Sequence, residues 1–133
     1  MKCIIVFLIT ILTLLTACDP LRRIKMKNRS GHDAEITWII KQDSINQSPF
    51  FISSALDVKF DLKPQQPANE INMSFGVGTW TPKVVQNLVD DLDSVIIRGN
   101  KGVISIKGEE EIKKFLLARR KGFAKDKIEI RIN

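Results

Sequence analysis

Strict alternation of apolar and polar residues is the feature that most limits what this chain can become. Leu56, Val58, Phe60 and Leu62 alternate with Asp57, Lys59 and Asp61, and Ile71, Met73, Phe75 and Val77 are opposed by Glu70, Asn72 and Ser74. Near the end, Ile128, Ile130 and Ile132 alternate with Lys127, Glu129 and Arg131. A period of two puts each set on one face of an extended strand, so these segments predict strands with one dry and one wet face. Residues 22–41 repeat the pattern twice. Ile24 and Met26 are set against Arg23, Lys25, Lys27 and Arg29, and Ile36, Trp38 and Ile40 against Glu35, Thr37 and Lys41. Ser30-Gly31-His32-Asp33 between them is turn chemistry, so this stretch reads as a hairpin. Ser94–Arg98 and Val103–Ile106 form another, across Gly99-Asn100-Lys101-Gly102.

Two helices interrupt the strands. Thr81-Pro82 is an N-cap followed by a first-turn proline, and Val84, Val85, Leu88, Val89 and Leu92 make the apolar stripe behind it. A second helix is expected from about Glu109 to Lys121, with three glutamates at its positive end and Arg119, Arg120 and Lys121 at its negative end. Gly122 fits the position after its end, with Phe123 folding back on the last turn. About seven alternating strands joined by short turns, with two short helices, predict a mainly β fold: an antiparallel immunoglobulin-like β-sandwich. The alternative is an α+β layer with both helices on one sheet.

The first 17 residues are of another kind. Lys2 is followed by an almost unbroken apolar run from Cys3 to Leu15. At about 13 residues the run is too short to span a bilayer core, which takes roughly 20, and has the length of a secretory h-region. Leu15-Thr16-Ala17-Cys18 resembles the lipobox of bacterial lipoproteins: a branched apolar residue, two small residues, then cysteine. The resemblance covers residues 1–18. It implies a diacylglyceryl group on the Cys18 thiol, cleavage before Cys18 and an N-acyl group on the new amine. The chain then divides into a signal peptide (1–17), a lipidated cysteine with a short tether (18–21) and one β-rich domain (22–133). It also implies a bacterial cell-envelope location, anchored to the inner or outer membrane with the domain periplasmic or surface-exposed. With Cys3 removed and Cys18 acylated, no thiol remains for a disulfide. Stability then rests on a hydrophobic core, which a single domain of this length can bury.

The tether is short, and Arg23, Lys25, Lys27 and Arg29 follow it at alternate positions. Such a row next to a lipid anchor fits anionic headgroups, each basic residue near the surface contributing about 1 kcal/mol. The same charges also suit an edge strand guarded against aggregation. Phe50-Phe51-Ile52, in an otherwise polar stretch, is either an interaction patch or a plug for the end of the core.

Chemistry-bearing residues are few. His32 is the sole histidine and lies in a turn, which excludes a histidine-based triad or a histidine-cluster metal site. Asp90, Asp91 and Asp93 lack the spacing of a calcium loop. Gly76-Val77-Gly78 lacks the third glycine of a dinucleotide fingerprint. Asn28-Arg29-Ser30 and Asn72-Met73-Ser74 are glycosylation sequons by pattern alone. No catalytic set, metal or soluble cofactor is expected. Removing the leader takes only Lys2 from 21 basic residues, leaving 20 against 15 acidic ones. In an envelope, this positive balance points to the membrane surface, an acidic glycan or an envelope protein rather than nucleic acid. The expected role is a non-enzymatic binding or structural module held close to the membrane. The alternative is a small carboxylate-based glycan hydrolase, which needs two carboxyl groups facing each other across a cleft.

Overall fold

The computed structural model describes residues 19–44 and 55–133. Cys18 and Phe50-Phe51-Ile52 lie outside the described residues. The described chain is mainly β. Its elements run β1 (Leu21–Asn28), β2 (Ala34–Ile40), β3 (Asp57–Leu62), β4 (Glu70–Val77), α1 (Pro82–Val89), β5 (Leu92–Gly99), β6 (Gly102–Lys107), α2 (Glu109–Leu117), β7 (Arg120–Lys121) and β8 (Lys127–Ile132). They form two four-stranded sheets, ordered β4-β1-β8-β7 and β3-β2-β5-β6. The described residues contain no helix long and apolar enough to cross a membrane.

The alternation settles most of the side chains that go inside; Leu56, which precedes β3, and Val77, beyond the irregularity in β4, are exposed. Ile24 and Met26 of β1, Ile36 and Trp38 of β2, Leu62 of β3 and Ile128 of β8 have no exposed surface. Inward rows from both sheets and the apolar faces of both helices join one core. Val85, Leu88 and Val89 come from α1, and Ile112 and Leu116 from α2. The Thr81 hydroxyl caps α1, accepting from the Val84 N–H at 3.2 Å, as the Thr-Pro signature predicts. The hairpin of β5 and β6 also forms, with Gly99 opposite Gly102.

Strand neighbours are another matter. β1 and β2 do not pair as a hairpin, because the chain crosses from one sheet to the other between them. β1 instead lies inside its sheet, antiparallel to β4 and parallel to β8, so it is not an edge strand. Both of its neighbours are far off in the chain, where short-range alternation carries no information. Against β1, β4 carries an extra residue near Gly76, whose φ of +79° the missing side chain permits.

The second helix is shorter than expected, ending at Leu117 with Ala118 as its cap. Arg120 and Lys121 leave it to pair with Ile128 and Lys127 of β8. Ladder formation outweighs helix propensity there, and the arginines serve the exposed helix end instead. Arg119 donates to the Phe115 carbonyl at 3.0 Å and Arg120 to that of Leu117 at 3.2 Å, satisfying two of the carbonyls a helix leaves open. Phe123 does not fold back and is fully exposed.

Asn28 ties the two sheets together. Its side chain is completely buried at the end of β1. Its amide donates to the carbonyls of His32 (2.6 Å) and Leu62 (2.9 Å), and its oxygen accepts from the Ser30 N–H (3.0 Å) and hydroxyl (2.8 Å). In the folded domain this amide is committed, so Asn28 is no glycan acceptor there. Asn28→Asp would turn a carboxylate oxygen toward two carbonyls in a dry site. It should destabilise the domain by about 2–3 kcal/mol in urea denaturation.

Candidate functional site

The outward face of the first sheet concentrates charge of one sign. Because Ile24, Met26 and Asn28 point in, Arg23, Lys25 and Lys27 point out. Registry then sets Lys127, Glu129 and Arg131 of β8 beside them on one flank and Ser74, Asn72 and Glu70 of β4 on the other. Lys121 of β7 stands opposite Lys127. The face therefore carries six cations, Arg23, Lys25, Lys27, Lys121, Lys127 and Arg131, against two carboxylates, Glu70 and Glu129. The outward face of the second sheet is balanced, with Glu35, Asp57 and Asp61 against Lys59, Arg98 and Lys107. Arg29 stands apart from the row, since β1 ends at Asn28 and Arg29 opens the turn.

Internal pairing quenches only part of this charge. Glu70 lies 2.6 Å from the Lys25 ammonium and 3.3 Å from that of Lys27. Hydrogen bonds from Lys25 and then Asn72 hold its carboxyl down at about 2. Arg131 grips Glu129 with two bonds of 2.9 and 3.0 Å, which lowers the Glu129 pKa. Arg23, nearly half exposed, reaches Asp126 at only 3.9 Å. Lys121 and Lys127 face one another directly, as like charges that destabilise a sheet unless something anionic lies over them.

The sign of the Glu70 linkage follows from its lowered pKa. The ionised carboxylate contributes stability above its ordinary pKa of 4.5, and that contribution is lost as pH falls toward about 2. The pair is partly exposed, so its loss should amount to about 1 kcal/mol or less. Glu70→Gln should accordingly flatten the acid limb of a stability-versus-pH curve between those values.

Among the described residues, the carboxylates that do come together lack the environment that acid-base work needs. Glu35 and Asp61 face each other across β2 and β3, in a shallow depression also lined by Asp33 and Arg98. There Glu35 is held by the Thr37 hydroxyl and by Arg98, and its pKa is lowered, chiefly by the Thr37 bond. A glycosidic general acid needs the opposite shift. Among the described residues no group of three or more His, Cys, Asp or Glu is placed to hold a metal ion. At the Asp90–Asp93 corner, Lys41 meets backbone carbonyls. Lys41 covers the end of α1, its ammonium 2.8 Å from the Asp90 carbonyl and paired with Glu109, and its N–H bonds the Asp91 carbonyl at 2.9 Å. A cation there offsets the acidic helix end that looks unfavourable in the sequence.

One feature is not legible in the sequence. A cleft of about 400 Å³ opens between the β5–β6 hairpin, α2 and the end of β8, lined by Ile97, Ile104, Phe115, Arg119, Ile130 and Ile132 among others. Its walls come from the three consecutive elements β5, β6 and α2 and from β8, and only their packing brings these side chains together, so no local motif marks it. No protein-family model, curated protein or solved structure matches this chain.

Proposed function

We propose that this chain is a non-enzymatic binding module of the bacterial envelope, anchored by lipid on Cys18, whose first sheet lies against an anionic membrane surface. The observation that carries this reading is the six-to-two excess of cations on one sheet face, which begins next to the anchor. The Pro20 carbonyl accepts a hydrogen bond from the Gly78 N–H at 2.7 Å, so the fold takes hold two residues after Cys18. At 3.3–3.6 Å per extended residue, that is a tether of roughly 7 Å. So short a link favours a domain lying on the headgroups over one standing away from them. As a scaffold, the two sheets of largely antiparallel strands around one core support the immunoglobulin-like reading in size and layering.

Among the described residues the core runs from Ile24 to Ile132, so a form starting at Asp19 retains all of that core. This form should bind vesicles rich in phosphatidylglycerol, ignore phosphatidylcholine vesicles, and be released as salt rises from about 50 to about 300 mM. Equal binding to both vesicle types would refute the reading. Glu70→Gln should strengthen binding by about fivefold, because it frees Lys25 and Lys27 and adds roughly one effective charge at about 1 kcal/mol.

A further inference from the structure

The cleft beside β8 runs along an incomplete sheet edge. Toward β1, the Arg23 N–H bonds the Asp126 carbonyl at 2.9 Å and the Arg29 N–H bonds that of Ile132 at 2.7 Å. On the other side, the Glu129 N–H bonds the Arg119 carbonyl at 3.0 Å. Backbone groups alternate along a strand, so the Arg131 N–H and C=O point the same way as those of Glu129. β7 covers β8 only at Lys127 and Ile128, and Arg131 lies beyond its end. Across the opening, β6 is the outer strand of its sheet, with Val103 and Ile104 each about 60% exposed.

The charged side chains that line the cleft, Lys101, Arg119 and Arg131, are all cationic. Arg119 lies 3.7 Å over the Phe115 ring and is in none of the ion pairs among the described residues. Burial lowers its pKa, a penalty that a carboxylate placed beside it would relieve. Lys101 lines the same opening. The site thus offers apolar sockets, unpaired strand backbone and a guanidinium lacking an acid.

We propose that this cleft receives an extended segment of a partner protein, added as a strand on the free edge of β8, with alternate apolar side chains among Ile97, Ile104 and Ile130 and an acidic residue on Arg119. Strand addition uses main-chain hydrogen bonds for affinity and side-chain pockets for specificity. A fatty acyl chain would fill the sockets but leave the backbone edge unpaired. A second copy offering β6, Gly102–Lys107, would bring no acidic residue to Arg119, and one offering the acidic outer strands β3 or β4 would bring apolar side chains that its own core already holds. The inference deepens the binding-module reading by naming a partner class, and it depends neither on vesicles nor on the cationic face.

The test pans a random 12-residue phage-displayed library against the full chain in nanodiscs. Enriched peptides should alternate apolar residues and carry at least one Asp or Glu. As synthetic peptides they should bind Ile104→Asp and Arg119→Gln about tenfold or more weakly than the parent, and should slow exchange of the Arg131 amide. Thermal melts of both variants establish that they fold. The proposal is overturned by a library that yields no enrichment, by peptides indifferent to both variants, or by binding that leaves the Arg131 amide exchanging freely. It is equally overturned if decanoate displaces the peptides' role by saturating the cleft, or if the chain self-associates through Ile104. A failed vesicle assay leaves this result standing, and the reverse holds too.

Discussion

Trp80→Ala should lower the unfolding free energy by about 3–5 kcal/mol, a large fraction of the stability of a domain whose total lies near 5–15 kcal/mol. Trp80 is only 1% exposed and joins segments that are remote in the chain. Its indole N–H donates to the Arg23 carbonyl at 3.2 Å, and its ring meets Phe75 edge-on at 5.6 Å. Its backbone N–H bonds the Lys125 carbonyl at 2.9 Å, and its carbonyl accepts from Arg120 at 3.0 Å. Truncation would open a cavity under β1 and β4 and strip a partner from the Arg23 carbonyl. Urea denaturation followed by circular dichroism measures the loss directly. Trp80→Phe keeps the ring but not the donor and should cost only about 1–2 kcal/mol. A loss below 1 kcal/mol for the alanine variant would mean that the site collapses freely and that Trp80 does not hold these segments together.

The second large effect concerns the charged face. Changing Arg23, Lys25 and Lys27 together to Gln should weaken binding to anionic vesicles by on the order of 100-fold, from about 1 kcal/mol per basic residue. The three changes bring the face from six cations against two carboxylates to three against two. The salt dependence should flatten with the affinity, because fewer screened contacts remain. Folding should be little affected, since all three side chains are at least partly exposed and their partners lie on the surface. Unchanged vesicle binding in the triple variant would remove the cationic face from the membrane reading. Paired with Glu70→Gln, which should act in the opposite direction, it makes the sign of the effect a test in itself.

Much of the fold can be read from local pattern. Residues such as Phe60, Met73 and Ile130 occupy the face their alternation assigns them. Thr81 and Pro82 start a helix because the threonine oxygen meets an N–H that no carbonyl can reach. The charged row on β1 is also visible directly, as Arg23, Lys25 and Lys27 separated by Ile24 and Met26. The cancellation within it is not. Glu70 lies more than forty residues from Lys25 in the chain, and only the registry of β1 with β4 brings them together. The same holds for Asn28, which the sequence marks only by a glycosylation pattern and which the closing sheets bury.

The amino-acid order by itself determined the faces of the strands, the start of α1, the β5–β6 hairpin and the basic row beside Cys18. These depend on interactions within a few residues, where a period of two or a cap has a direct steric meaning. Tertiary structure alone decided that β1 sits between β4 and β8 instead of pairing with β2, that the second helix stops at Leu117, and that a cleft opens beside Arg119. A half-buried strand specifies which side faces the core but not which backbone completes its ladder. That choice is made by the shape of the assembled core and the hydrogen bonds it leaves open.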